Sequence, residues 1–258
     1  MSASEPVGFN PKSTPHKQAA LNKLAPHLLG ACASVAHHRG VPCVIADMTA
    51  GPGLYEGHEG SPLIFARHMT NLMAAHGYKM RLVCVEQVPE RLAALRAVMG
   101  MRYSHLPVSY YSSQLEAKNA IQTWSVGLTY WDPTRYNNLN LPLLSAFGKT
   151  HDMMDILITR ECLATKRMLG WERTATSTLT IQDYLALTGK KRNYLWQYAK
   201  HSWWTFGFAD NWETRPQEKM GGLVRVDSVE GQRLYARWTA FIDQTDDTQS
   251  QQGELPWE

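Results

Sequence analysis

A chain of 258 residues, 44% of them hydrophobic, can bury one large core, or one core with a small appendage. Its formal charge of +3 excludes a polycation that binds nucleic acid over its whole surface, so any such affinity needs a local basic patch. Four scattered cysteines with no Cys-x-x-Cys pair point to a reduced, intracellular protein without a zinc ribbon, and no apolar run approaches the ~20 residues that cross a bilayer, so a soluble cytoplasmic protein is expected.

Residues 1–15 carry Ser, Pro and Gly without periodicity and read as a flexible arm. From His16, the spacing of Leu21, Leu24, Leu28, Leu29 and Val35 predicts an amphipathic helical region with a break at Pro26. Val41 to Ala46 reads as a buried strand leading into Asp47 and the turn Gly51-Pro52-Gly53, and Glu56 to Gly60 as a short polar loop. Ser61-Pro62 has the grammar of a helix start, Ser as cap and Pro in the first turn, with Leu63 to Ala75 continuing. A second strand, Met80 to Val85, ends in Glu86, and Pro89 opens a helix with Leu92, Leu95 and Val98 as its core stripe. Then come a strand Val108 to Tyr111, a helix Glu116 to Trp124, a strand Val126 to Trp131 ending in Asp132-Pro133, a helix around Leu141 to Phe147 and a strand Ile156 to Thr159. This alternation predicts a mostly parallel sheet with helices on both faces.

The remainder differs in character. Between Arg160 and Lys200, Lys and Arg outnumber the acids, and Trp171, Tyr184, Tyr194, Trp196 and Tyr198 are interleaved with them. Trp203 to Ala209 reads as a sixth strand, Leu223 to Val226 as a possible antiparallel partner that completes a seven-stranded sheet, and Ser228 as the cap of a helix holding Leu234, Trp238 and Phe241. The expected domain is 16–243, carrying a basic and aromatic segment over 160–204, with a Gln-rich, disordered tail over 244–258.

A strand that ends in an acid and a Gly-x-Gly turn lets backbone approach a ligand with no Cβ in the way, outside the carboxyl end of the sheet. Asp47 with that turn, Glu86 and Asp132 stand in order at three strand ends, an arrangement that resembles the class I methyltransferase sheet, a Rossmann-like α/β fold. Ala50-Gly51-Pro52-Gly53 with Tyr55, then Gly60-Ser61-Pro62-Leu63, the Glu86 strand and Asp132-Pro133 resemble the three-Cys-motif partner family. More distantly, they are similar to ribosomal RNA adenine-N6 methyltransferases, which share the Ala-Gly-x-Gly-x-Tyr turn and the Gly-Ser-Pro-Leu segment. The resemblance covers roughly residues 16–210.

It implies S-adenosylmethionine as cofactor, with Asp47, Ala50, Gly51, Gly53 and Tyr55 at its methionyl portion and Glu86 accepting hydrogen bonds from its ribose hydroxyls. Asp132-Pro133-Thr134-Arg135-Tyr136 stands where amino-methyltransferases carry Asp-Pro-Pro-Tyr or a near variant. There the acid and a backbone carbonyl accept from an exocyclic amine while the aromatic ring stacks on a flipped base, which makes Asp132, Pro133 and Tyr136 the catalytic candidates. Thr134 and the inserted Arg135 depart from that pattern.

Lys190, Lys191 and Arg192 are candidates for phosphate neutralisation in a nucleic-acid groove, with Trp131 and Arg135 as further substrate contacts; a solvated Lys-Lys-Arg turn is the competing reading. Asp210-Asn211-Trp212 either closes the pocket or forms a turn. The histidines form no His-x-x-x-His or His/Cys cluster, so no metal is expected. The expected activity is N-methylation of a nucleic-acid base, adenine preferred. The alternative is a binding or regulatory protein that keeps the fold without methyl transfer.

Overall fold

The structure, a computed structural model, describes residues 14–132, 140–161, 188–196, 204–212 and 223–233. Within them the chain runs α1 (Thr14–His38), β1 (Cys43–Asp47), β2 (Leu54–Tyr55), β3 (His58–Glu59), α2 (Ser61–His76), β4 (Met80–Val85), α3 (Pro89–Arg102), β5 (Val108–Tyr111), α4 (Gln114–Ala120), β6 (Val126–Trp131), α5 (Leu141–Thr150), β7 (Met154–Glu161), β8 (Arg192–Trp196), β9 (Trp204–Asp210) and β10 (Leu223–Arg225). Most of the arm over 1–15, all of the tail over 244–258 and most of the basic segment over 160–204 lie outside the described residues, as does the expected helix stripe Leu234, Trp238 and Phe241.

Every residue of β1 and β6 is buried, as the continuous apolar runs at Cys43–Ala46 and Val126–Trp131 require of strands covered on both faces. The period of two sorts their side chains into two cores. Ile45, Leu82 and Leu128 pack with Leu24 and Leu28 of α1, Leu63 and Phe65 of α2 and Leu95 of α3. Val44, Val83 and Ile156 pack on the opposite face with Ala117 of α4 and Leu144 and Phe147 of α5. At about 1.5–3 kcal/mol for each fully buried large apolar side chain, these two layers dominate the stability of the fold.

The sheet has eight strands in the order β10-β8-β9-β7-β6-β1-β4-β5. The pairings β1–β4, β1–β6, β4–β5 and β6–β7 are parallel, while β9 runs antiparallel between β7 and β8. The strand the sequence concealed is β8. It falls in the basic segment, yet Tyr194, Leu195 and Trp196 are buried, so those aromatics are core and not a stacking surface. As a result Leu223–Arg225 pairs with β8, Leu223 opposite Trp196, and not with the Trp204–Asp210 strand as expected, which raises the count from seven strands to eight.

Local corrections have local causes. Pro26 lies inside an unbroken α1, because Leu24, Ala25, Leu28 and Leu29 are buried around it and outweigh one lost backbone hydrogen bond. Gly60, not Ser61, is the N-cap of α2. Ser113 caps α4 through the Glu116 amide and starts it two residues early, and the helix ends well before Trp124. The expected loop at Glu56–Gly60 contains β3, which pairs with β2 across Glu56 (φ 48°) and Gly57 (φ 84°), a tight hairpin turn. Ser228 accepts from the Gly231 amide at 3.0 Å, the contact expected of a cap.

Candidate functional site

From β1 the chain moves outward through β4 and β5, then crosses back to β6 on the other side of β1, so the crevice beside β1 is a topological switch point. Asp47 pairs in register with Cys84 on one neighbour and Tyr130 on the other. Glu86 and Asp132 each lie two residues beyond those partners, which groups the three acids at the carboxyl edge of adjacent strands. The turn after β1 is stitched to both sides: Met48 N donates to Tyr130 O at 2.9 Å, Ala50 N to Val85 O at 2.8 Å, and Gln114 Nε2 to Met48 O at 3.0 Å.

Asp47 is fully buried. Its Oδ1 accepts from Thr49 N at 3.1 Å, and its Oδ2 has no hydrogen-bond partner. Burial pushes its carboxyl up to about 7, with Asp132 and Glu86 acting in the same direction; the Ser61 hydroxyl and the Thr49 amide oppose the shift, although Ser61 makes no hydrogen bond to Oδ2. Glu86 accepts from Val88 N at 2.8 Å through Oε1, and its own amide donates to Tyr111 O at 3.1 Å.

Gly51 (φ +64°) and Gly53 (φ +84°) adopt the left-handed conformation that favours glycine. A Cβ on Gly51 would stand 2.0 Å from the Tyr55 hydroxyl, and one on Gly53 would stand 2.9 Å from both Leu95 Cδ1 and Val98 Cγ1. The chain's own packing therefore demands both glycines, and a ligand at this turn meets the Tyr55 phenol. Burial raises that phenol's pKa; Asp132, Glu86 and Asp47 add to the shift and Arg91 opposes it. The hairpin that carries Tyr55 is pinned by Glu59, which accepts from Arg67 Nη2 at 3.2 Å and lies 3.6 Å from Arg102 Nη1.

Asp132 is fixed from two directions. Its amide donates to Thr49 Oγ1 at 2.8 Å, and its Oδ2 pairs with Lys17 Nζ at 2.5 Å, both side chains being mostly buried at 18% and 29% exposure. Sequence reasoning missed Lys17. Its signal was present in the helical stripe, since Lys17 extends the Leu21, Leu24, Leu28 face by one turn and so points at the sheet. Pro133, Arg135 and Tyr136 lie outside the described residues.

Three expectations need correction. Trp131 is fully buried in the core shared with α5, donating Nε1 to Thr129 Oγ1 at 3.1 Å, because strand alternation turns it into the sheet's second face. Lys190 is 6% exposed, and its ammonium donates to His151 O at 2.6 Å and Asp152 O at 3.2 Å. Burial draws its pKa down to about 8 against the pull of Asp155, Asp152 and Asp210. Arg192 pairs through Nε with the buried Asp210 at 2.9 Å. Of the triplet only Lys191 is exposed, and all three sit at the edge of the sheet opposite Asp47. Asp210-Asn211-Trp212 is there too, because β9 is antiparallel and ends beside the start of β7. Trp212 Nε1 donates to Asp155 Oδ1 at 2.7 Å, and the cleft of about 280 Å³ lined by Arg39, Asp152, Met153, Lys191, Asn211 and Trp212 is separate from the strand-end acids.

Among the described residues no group of three His, Cys, Asp or Glu could hold a metal, and no helix is long and apolar enough to cross a membrane. The acceptors at the switch point fit S-adenosylmethionine, which brings an ammonium and ribose hydroxyls as donors: Asp47 Oδ2 is a buried acceptor without a hydrogen-bond partner, and Glu86 stands at the next strand end.

The strand order, with antiparallel β9 inserted between β7 and β8, is that of a class I methyltransferase fold. No family model and no curated protein matches the chain. Among solved structures it is similar to the bifunctional kinase-methyltransferase WbdD, with 8% identity, 80% of this chain and 43% of that chain covered, and a TM-score of 0.46. It is also similar to a protein from Legionella pneumophila str. Philadelphia 1 (12% identity, 78% and 88% covered, TM-score 0.48) and to the fibrillarin/Nop5p complex (12% identity, 66% and 72% covered, TM-score 0.41). The chain spans under half the length of WbdD.

Proposed function

We propose that the protein is an S-adenosylmethionine-dependent methyltransferase acting on an amino nitrogen of a nucleic-acid base, adenine preferred. The observation that carries this reading is the fixed Asp132: a carboxylate held at the end of β6 by Thr49 and Lys17, across the switch point from the buried, half-satisfied Asp47. When bound, the cofactor supplies an electrophilic methyl group. Asp47 would receive its ammonium and Glu86 its ribose hydroxyls. Asp132 accepts a hydrogen bond from the substrate's amine, which orients the nitrogen lone pair toward the methyl carbon. Lys17 holds the Asp132 carboxylate in place while its other oxygen engages the amine. The resemblance of the Ala-Gly-Pro-Gly-Leu-Tyr and Gly-Ser-Pro-Leu segments to the three-Cys-motif partner family and to adenine-N6 methyltransferases supports the choice of base.

A second reading, a regulatory protein that keeps the fold without transfer, is favoured by one observation: Lys17 already engages the carboxylate that a substrate amine must reach. Calorimetric titration with S-adenosylmethionine, followed by a radiolabelled methyl-transfer screen on DNA and RNA, tests both. Transfer to an amino nitrogen is the expected result; cofactor binding with no transfer to any nucleic acid would favour the regulatory protein.

A further inference from the structure

We propose that Asp47 is the charge-selecting residue of this site, protonated in the ligand-free protein and giving its proton to solvent when a ligand's cationic group settles against Oδ2. This rests on the reading of the site as a cofactor pocket and adds a requirement that reading does not contain.

The argument starts from the arrangement of charge. Asp47 Oδ2 is a fully buried oxygen with no donor. An isolated carboxylate in that position is costly, so the group stays neutral until an opposite charge arrives. Its neighbours reinforce this from every side. Cys84 and Glu86 face it from β4 and its end, Tyr130 and Asp132 from β6 and its end, and Tyr55 from the hairpin; all are acids, and none can neutralise it. Ser61 approaches from α2 with an uncharged hydroxyl. Lys17 reaches the cluster from α1, but its ammonium lies on Asp132. Arg91 of α3 acts on the Tyr55 phenol and is not among the groups that act on Asp47. The strand ends thus gather three carboxyl groups, one of them already paired with Lys17, and select a ligand that brings its own positive charge.

Charge is conserved simply. The carboxyl O–H bond of Asp47 breaks, the proton leaves to solvent or buffer, and the carboxylate pairs with the incoming ammonium; nothing is oxidised or reduced. Because burial raises the carboxyl toward neutrality, binding releases most of a proton per site well below pH 7 and progressively less as pH rises above it.

Calorimetry in buffers of different ionisation enthalpy reads that release directly. S-adenosylmethionine and S-adenosylhomocysteine, which both carry the ammonium, should release the proton. Methylthioadenosine, which lacks it, should bind more weakly with no release, and Asp47→Asn should abolish release for every ligand. Binding of the ammonium ligands without release, or with undiminished release from Asp47→Asn, overturns the proposal while leaving the cofactor pocket standing. Failure of all three ligands to bind overturns both. A ligand-free check is independent of affinity: carboxyl carbon NMR should show Asp47 titrating near neutrality, and a midpoint below about 5 overturns the proposal.

Discussion

Lys17 Nζ lies 2.5 Å from Asp132 Oδ2, joining the first turn of α1 to the end of β6 across 115 residues of sequence. Both side chains keep some contact with solvent, and partly exposed pairs contribute on the order of 1 kcal/mol or less, so Lys17→Met should lower stability by about 1 kcal/mol at most in urea unfolding. Methyl transfer should fall by about tenfold or more, because the carboxylate loses the partner that orients it. A rise in transfer on the same substitution would mean that Lys17 masks Asp132.

Asp132→Ala should leave cofactor affinity nearly intact and lower turnover by at least ~100-fold, as expected when an interaction made mainly in the transition state is removed. Single-turnover rates alongside calorimetric affinity separate the two effects. Equal rates for variant and wild type would make Asp132 a strand-end cap.

Gly51→Ala places a methyl group against the Tyr55 hydroxyl and should destabilise by about 1–3 kcal/mol, with roughly another 1 kcal/mol from the left-handed backbone. Tyr55→Ala should recover the steric part and not the backbone part. A double-mutant cycle in thermal unfolding measures that coupling, and additive costs would show that the ring moves aside freely.

The folded-state pKa of Asp47 is raised from 3.8 to about 7, so folding retains a proton that the unfolded chain gives up. Stability should therefore fall as pH rises from about 4 to about 7 and level off above, a loss of about 4 kcal/mol at most at 1.36 kcal/mol per unit. Asp47→Asn should remove this slope and be the more stable protein at pH 8. Parallel urea curves at pH 5 and pH 8 for both proteins check it.

Lys190→Met should cost about 1–3 kcal/mol of stability, because the His151 and Asp152 carbonyls lose a buried donor. It should leave the salt dependence of any nucleic-acid binding unchanged. Lys191→Glu should do the reverse if that edge meets phosphate, shifting the log–log salt slope by about one unit with stability intact.

The parallel half of the fold was legible because its signals are local and redundant. Met80–Val85 and Val108–Tyr111 begin and end as the apolar runs do, and Leu92, Leu95 and Val98 are the buried stripe of α3. The antiparallel half was less so. Arg192 and Asn193 gave β8 a polar start, and charge masked the buried Tyr194–Trp196 that follows. Lys190 looked like a phosphate ligand because a sequence cannot show that two backbone carbonyls lie within reach of its amine. At the site, the three acids could be read from strand ends. Lys17 could not be paired with Asp132, since helical phase tells which way a side chain points and not which carboxylate awaits it. The Gly-x-Gly pattern suggests room for a ligand at Gly51, whereas its bare face is filled by Tyr55, a contact set by the β2–β3 hairpin that local sequence does not announce.

Because α1 contributes Lys17 from its first turn while its buried residues, among those described, begin at Ala20, the contact with Asp132 and the packing on the sheet occupy different stretches of one helix. A chain trimmed to begin at residue 19 keeps Ala20, Leu21, Leu24 and Leu28 and should express, fold and melt almost as the parent does, yet it has lost a side chain from the site. An inactive preparation of the shortened protein therefore leaves the activity of the parent chain untested.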